Sequence, residues 1–149
     1  MNRAAAVALG MLGAALPIAA AVALGMEVQV VSVRAAERGS SDAELQPVRA
    51  RLRRLVGYRS FRVVHEERRQ CSWRNTEEFT IPGGRSLRVM PKGMQDEAVV
   101  MQVRLLDGRR RLVDTDVRLR NRGTMLLGVG RQAGRADGAL IIMLRAEAQ

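Results

Sequence analysis

From Ala98 to Arg120 the chain changes character at every second residue, and this alternation constrains the fold more than any other feature. Val99, Met101, Val103 and Leu105 fall on one side; after Asp107-Gly108, Val113, Thr115, Val117 and Leu119 repeat the pattern. Asp114, Asp116, Arg118 and Arg120 take the other side. A period of two is the signature of a strand with one apolar and one wet face. Asp107-Gly108 predicts a two-residue type I′ turn, because both residues accept positive φ. The result is an antiparallel hairpin, and its apolar face must be covered by a second layer.

The flanking sequence supplies material for that layer. Met26 to Arg34 is rich in β-branched residues and reads as a strand. Its alternation slips at Val30-Val31, which a bulge or burial of both faces would explain. Tyr58 to Glu66 reads as a strand with Phe61, Val63 and His65 on one face, followed by a charged, irregular stretch over 67–75. Phe79 and Ile81 run into the turn Pro82-Gly83-Gly84. Leu87 and Val89 form a short strand stopped by Pro91-Lys92-Gly93. Asn121-Arg122-Gly123 turns the chain into Thr124–Val129, and a Gly- and Arg-rich loop over 130–138 leads to Ala139–Leu144. One helix is expected. Ser41-Asp42 offers an N-cap, Glu44 sits in the first turn, and Leu45, Val48, Leu52, Leu55 and Val56 make one apolar stripe. Pro47 delays the regular helix to about Gln46, and Gly57 ends it as the C′ residue. The expected fold class is α+β, mainly β: an antiparallel curved sheet or small sandwich of about eight strands with one packed helix, preceded by a signal peptide.

That last expectation comes from the N-terminus. Arg3 is the only charge before Glu27, and Ala4 to Met26 is uncharged, apolar and Ala-rich with Pro17 near its middle. A basic start, an apolar stretch and small residues form the pattern of a secretory signal. Pro17 breaks the apolar helix and leaves an extended segment for a peptidase. The reading assigns residues 1–21 to a signal peptide, with cleavage after Ala21 or Gly25, and 22–149 to a single β-rich domain. The alternative is an uncleaved inner-membrane anchor, since the run is about the ~20 residues that a spanning helix needs.

Charge and chemistry-bearing residues narrow the function classes. The net charge is +10, and Lys92 is the only lysine. A basic surface can hold polyanions. With only Tyr58, Phe61, Trp73 and Phe79 as aromatics, base-stacking platforms are lacking, so nucleic acid is not an expected partner. Arg109, Arg110 and Arg111, beside the hairpin turn, are the candidate polyanion contact. Cys71 is the only cysteine and His65 the only histidine. One cysteine forms no internal disulfide, and an inert, partly buried thiol is expected. A zinc site of the usual kind needs several such ligands. Neighbours on a strand point apart, so His65 and Glu66 do not share an ion. Asp114 and Asp116, at i and i+2, could serve as a catalytic pair, but cross-strand ion pairs with Arg104, Arg118 and Arg120 are their expected role. The glycine-rich Pro82-Gly83-Gly84-Arg85 and Gly128-Val129-Gly130-Arg131 open no helix and read as turns rather than phosphate loops. No catalytic residue, metal or cofactor is expected.

The Leu45/Leu52 helix, the strand Tyr58-Arg59-Ser60-Phe61-Arg62-Val63, Pro82-Gly83-Gly84-Arg85-Ser86-Leu87 and the Gly123–Gly128 strand followed by Gly138-Ala139-Leu140-Ile141 resemble a family of small exported bacterial proteins of unknown function. The resemblance implies an envelope location and no activity. Val117 to Val129 is in addition similar to the late strands of secretin outer-membrane channels, with Val129 in place of the second of two paired glycines; a chain of 149 residues is far too short for such a pore. The resulting expectation is a non-catalytic exported module, periplasmic or secreted, that binds or assembles within the cell envelope. Its partner would be an envelope protein or an anionic envelope polymer, with membrane contact only through an uncleaved N-terminal segment. The alternatives are an extracytoplasmic enzyme and a polyanion-binding protein that uses surface arginines.

Overall fold

The computed structural model describes residues 25–129 and 139–148. The expected signal peptide, 1–21, and the expected loop, 130–138, lie outside the described residues. The described elements are β1 (Gly25–Ala36), a 3-10 segment (Ala43–Val48) running into α1 (Arg49–Val56), β2 (Ser60–Ser72), β3 (Glu77–Ile81), β4 (Arg85–Gln95), β5 (Ala98–Asp107), β6 (Arg110–Arg120), β7 (Thr124–Val129) and β8 (Ala139–Ala148). They form two four-stranded antiparallel sheets, ordered β2-β1-β8-β7 and β3-β4-β5-β6. The α+β, mainly β expectation holds, in its sandwich form.

Two cores hold the layers together. Met26, Val28 and Val30 of β1 and Ile142 and Leu144 of β8 pack against Leu87 and Val89 of β4 and Val99, Met101 and Val103 of β5, between the sheets. Val31, Val33 and Ala35 leave β1 on the opposite side and meet Leu45, Leu52 and Phe61 under the helix. The slip at Val30-Val31 therefore marks a strand covered on both faces, with its period intact. A bulge exists as well, but in the partner strand. Ser32 pairs with His65 and Val33 with Val63, leaving Val64 unpaired and exposed. This extra residue reverses the faces of β2. Phe61 and Val63 pack under the helix, whereas Cys71 lies in the intersheet core. His65, contrary to expectation, does not share a face with Phe61 and Val63.

β2 also runs six residues past Glu66, pairing with β1 as far as Ser72. The polar stretch was expected to be irregular because it buries little. As an edge strand it needs only one neighbour, and edge strands tolerate charge, which discourages further pairing. β4 likewise passes through Pro91 to Gln95 with a bulge at Lys92. Pro91 lies beyond the end of β3, and its carbonyl on that open side accepts Arg74 N–H. Its missing N–H thus costs the ladder to β5 nothing. Pro47 confines the first part of the helix to 3-10 geometry, so regular α1 begins at Arg49 rather than Gln46. Gly57 ends it at φ 75°, as expected, with its N–H on Arg53 O. The stripe holds except at Leu55, which is 46% exposed. Ser41 and Asp42 do not cap the helix. Ser41 Oγ accepts Phe61 N–H at 3.0 Å and Asp42 Oδ2 accepts Val63 N–H at 2.7 Å, so they satisfy the open edge of β2.

The turns differ from expectation in one informative way. Asp107 pairs with Arg110, so the hairpin turn is Gly108-Arg109, and only Gly108 has positive φ, 62°. That is the type II′ pattern. Both central residues take positive φ instead at Asp96 (50°) and Glu97 (65°), between β4 and β5. On β6, Val113, Val117 and Leu119 pack inward as expected, while Thr115 stays exposed on this edge strand.

Candidate functional site

The residues singled out for chemistry are distributed over separate faces. His65, Glu67 and Arg69 alternate along β2 toward the neighbouring edge strand β3. His65 Nε2–H donates to Glu67 Oε1 at 2.8 Å, and Arg69 donates to Glu67 Oε2 at 2.9 Å. Glu67 Oε1 also accepts Thr80 N–H at 3.0 Å, and Arg69 donates to Glu78 O. Both backbone groups belong to β3, whose outer edge has no strand partner among the described residues. Glu67 and Arg69 therefore join the two sheets where no ladder does. Burial disfavours the Glu67 charge, but hydrogen bonds from His65 and Thr80 and the Arg69 charge outweigh it and hold the carboxyl below its ordinary range. Arg69 also stacks over the Phe79 ring, 5.1 Å from its centre.

Glu66 points the other way and accepts a hydrogen bond from Gln29. Among the described residues no group of three acidic, His or Cys side chains gathers to hold a metal ion. Cys71 is 1% exposed. Burial, with Glu77 adding and Arg69 opposing, pushes its thiol up to about 11, which suppresses the nucleophilic thiolate.

Asp114 and Asp116 stand on the wet face of the second sheet. Asp114 accepts Gln102 at 3.1 Å and Arg111 at 3.0 Å and lies 3.6 Å from Arg104 Nε. Asp116 meets Lys92 at 2.9 Å. Arg118 turns instead to Asp96 at 3.1 Å. Of the candidate polyanion contacts, Arg110 lies 3.8 Å from Asp107 and Arg111 is held by Asp114. Arg109, in the turn, forms no ion pair among the described residues. By contrast, none of the arginines from Arg34 to Arg62 forms an ion pair among the described residues, although Glu37, Asp42 and Glu44 share that segment. Arg34 and Arg62 are direct cross-strand partners.

A concave site lies on the outer face of the first sheet. The 3-10 segment and α1 are short; the buried cluster beneath them reaches Val31 on β1, and Val63 and Met143 at its margin are only partly buried. Beside them is a groove of about 320 Å³. Val31, Leu45, Val48, Val63 and Met143 form its apolar part, and Gln29, Glu44, Glu66, Arg68 and Arg145 its polar part. The ladder fixes this arrangement: Gln29 pairs with Arg68 on β2 and Arg145 on β8, and Val31 one row on pairs with Glu66 and Met143. Arg68 Nε lies 3.5 Å from Glu27. Arg145 has no partner among the described residues. The exposed lining is about equally polar and apolar, and the volume lies at the lower end of the ~300–1,000 Å³ typical of ligand sites.

Sequence reasoning missed this groove because its residues come from β1, β2, β8 and the 3-10 segment. The available signal was the change from Glu27 and Gln29 to Val31, Val33 and Ala35 on one face of β1, which marks where cover begins. No protein-family model, curated protein or solved structure matches the chain.

Proposed function

We propose that this protein is a non-catalytic exported module, periplasmic or secreted, that binds a component of the bacterial cell envelope through the groove on the outer face of its first sheet. The observation that carries the binding reading is the groove itself: the half-buried side chains of Val48, Val63 and Met143 beside Arg68, Arg145, Glu66 and Gln29. His65 and Cys71 on β2 and the Asp114/Asp116 pair on β6 each have a structural occupation, and this favours binding over chemistry. Export rests on the basic, then apolar, Ala-rich N-terminus. Among the described residues no helix is long and apolar enough to cross a membrane.

β1 bears on where a peptidase would cut. Gly25 already pairs with Ser72, and Met26 is 0% exposed in the intersheet core. Cleavage after Gly25 would place a charged amino group on a buried residue, whereas cleavage after Ala21 leaves β1 whole. The test is fractionation of the native bacterium with N-terminal sequencing, followed by crosslinking of the envelope fraction with wild type and Met143→Arg. The expected result is a periplasmic or secreted chain beginning upstream of Gly25, with a reproducible partner that Met143→Arg loses. A full-length cytoplasmic chain would refute export, and partner capture unaffected by Met143→Arg would refute the groove.

A second reading, polyanion binding through arginines, is favoured by the Arg34–Arg62 segment. A salt-sensitive interaction abolished by neutralising Arg34 and Arg62 would support it.

A further inference from the structure

We propose that the wet face of the second sheet carries an oxyanion site between Arg88 and Arg104, selective for a phosphate or sulfate group. The two arginines are direct cross-strand partners on β4 and β5. Like charges so placed repel unless something lies between them. They flank a cleft of about 90 Å³ that Thr76, Met90 and Gln102 complete. That volume suits a group of four or five heavy atoms and is too small for the organic ligand that the opposite groove would take.

The counter-charges are arranged to hold the arginines without filling the cleft. Glu78, on the β3 side, lies 3.4 Å from Arg88 Nε, and Asp114, on the β6 side, lies 3.6 Å from Arg104 Nε. The row across the sheet thus reads carboxylate, guanidinium, guanidinium, carboxylate, with both carboxylates outside. Among the described residues neither guanidinium donates a hydrogen bond from its terminal nitrogens. Arg104 Nε is buried and has no hydrogen-bond partner. Asp114 is further shared with Arg111 and Gln102, so its charge is only partly spent on Arg104. Glu78 and Asp114 against Arg88, Arg104 and Arg111 leave the cluster net positive. A planar guanidinium presents its terminal N–H groups as a fork matched to two oxygens of a phosphate or sulfate. Two such forks, facing one cleft, offer the donors that a tetrahedral anion accepts.

The site is independent of the groove, which lies on the other sheet, so either can fail alone. The test is titration of the full-length chain with inorganic phosphate, inorganic sulfate and glycerol phosphate at constant ionic strength, followed by calorimetry. Chloride is the reference anion. Saturable one-to-one binding of phosphate or sulfate is expected. Arg104→Gln and Arg88→Gln should each weaken it about tenfold, the loss of one charge-assisted contact. Arg104→Lys, which keeps the charge but not the fork, should recover only part of it. Arg109→Gln, which removes the same charge at the hairpin turn, should change affinity less than about twofold, as expected of a rim charge screened beyond ~10 Å. Tighter binding of glycerol phosphate than of free phosphate would identify a phosphomonoester end-group as the ligand type; equal binding would identify the free ion. Thermal melts of each variant establish that it is folded. Equal weakening by Arg109→Gln and Arg104→Gln would overturn the proposal in favour of diffuse attraction, as would unsaturable binding or chloride competing equally.

Discussion

Glu67→Ala removes the side chain that joins the two sheets at their open edge, and its cost can be worked from the contacts. Thr80 N–H loses its acceptor on an edge that no strand covers, worth about 1–3 kcal/mol if water does not replace it. Arg69 keeps Glu77 and Glu78 O, so its lost pair is worth about 0–1 kcal/mol. The expected destabilisation is therefore about 1–4 kcal/mol, or a fall of about 0.5–2 M in the urea midpoint at a slope of about 2 kcal/mol/M. Glu67→Gln retains an acceptor for Thr80 and should cost about 1 kcal/mol, mainly through the charge. The pH dependence gives a sharper check. The folded carboxyl ionises below its ordinary 4.5, so its charge contributes fully above that pH. The contribution drains as pH falls through the lower folded value. Urea unfolding of wild type, Glu67→Ala and Glu67→Gln from pH 7 to pH 3 should show the wild-type advantage over Glu67→Gln shrinking only below pH 4.5. An Ala variant within about 0.5 kcal/mol of wild type, the range of an ordinary surface change, would refute the bridging role. A Gln gap that persists unchanged to pH 3 would refute the electrostatic part.

Glu97→Gly should raise stability by about 0.5–1 kcal/mol, because a left-handed φ of 65° suits glycine and strains glutamate, partly offset by the entropy of an unfolded glycine. Gly108→Ala, at φ 62°, should lower stability by about 1 kcal/mol; calorimetric melts read both. A Cβ at Gly25 would overlap the Cys71 carbonyl oxygen, so Gly25→Ala in the full chain should lower the melting temperature; an unchanged melt would mean that this end of β1 does not pair in solution. Cys71, with its thiol near 11 and its side chain buried, should resist a disulfide reagent at pH 8 and react fully once unfolded. Rapid labelling of native protein would show that β2 opens locally.

Much of the second sheet was legible because its signals are local. The β5–β6 alternation gave the apolar set of that hairpin, and Pro82-Gly83-Gly84 gave the β3–β4 turn. What failed were features that depend on what each strand lies beside. The turn at Asp96-Glu97 carries no glycine, and its positive φ values are imposed by the pairing of Gln95 with Ala98. The length of β2 depends on β1, since residues 67 to 70 have no apolar pattern and gain their order from the ladder alone. The faces of His65 and Glu67 were set by one unpaired residue, Val64, that no period reveals.

The sequence by itself determined the class of fold and the position of the helix, because burial and turn chemistry are written in neighbouring residues; it left the slip at Val30-Val31 open between a bulge and burial of both faces. It also fixed an excess of positive charge. Only the tertiary structure decided where that charge is free to act. Pairing neutralised part of the Arg109–Arg111 run, put Arg88 beside Arg104, and placed Arg68 and Arg145 around Gln29 at the edge of the groove beside the helix. Those relations join residues far apart in the chain, and they arise from strand register and sheet stacking, which no local pattern encodes.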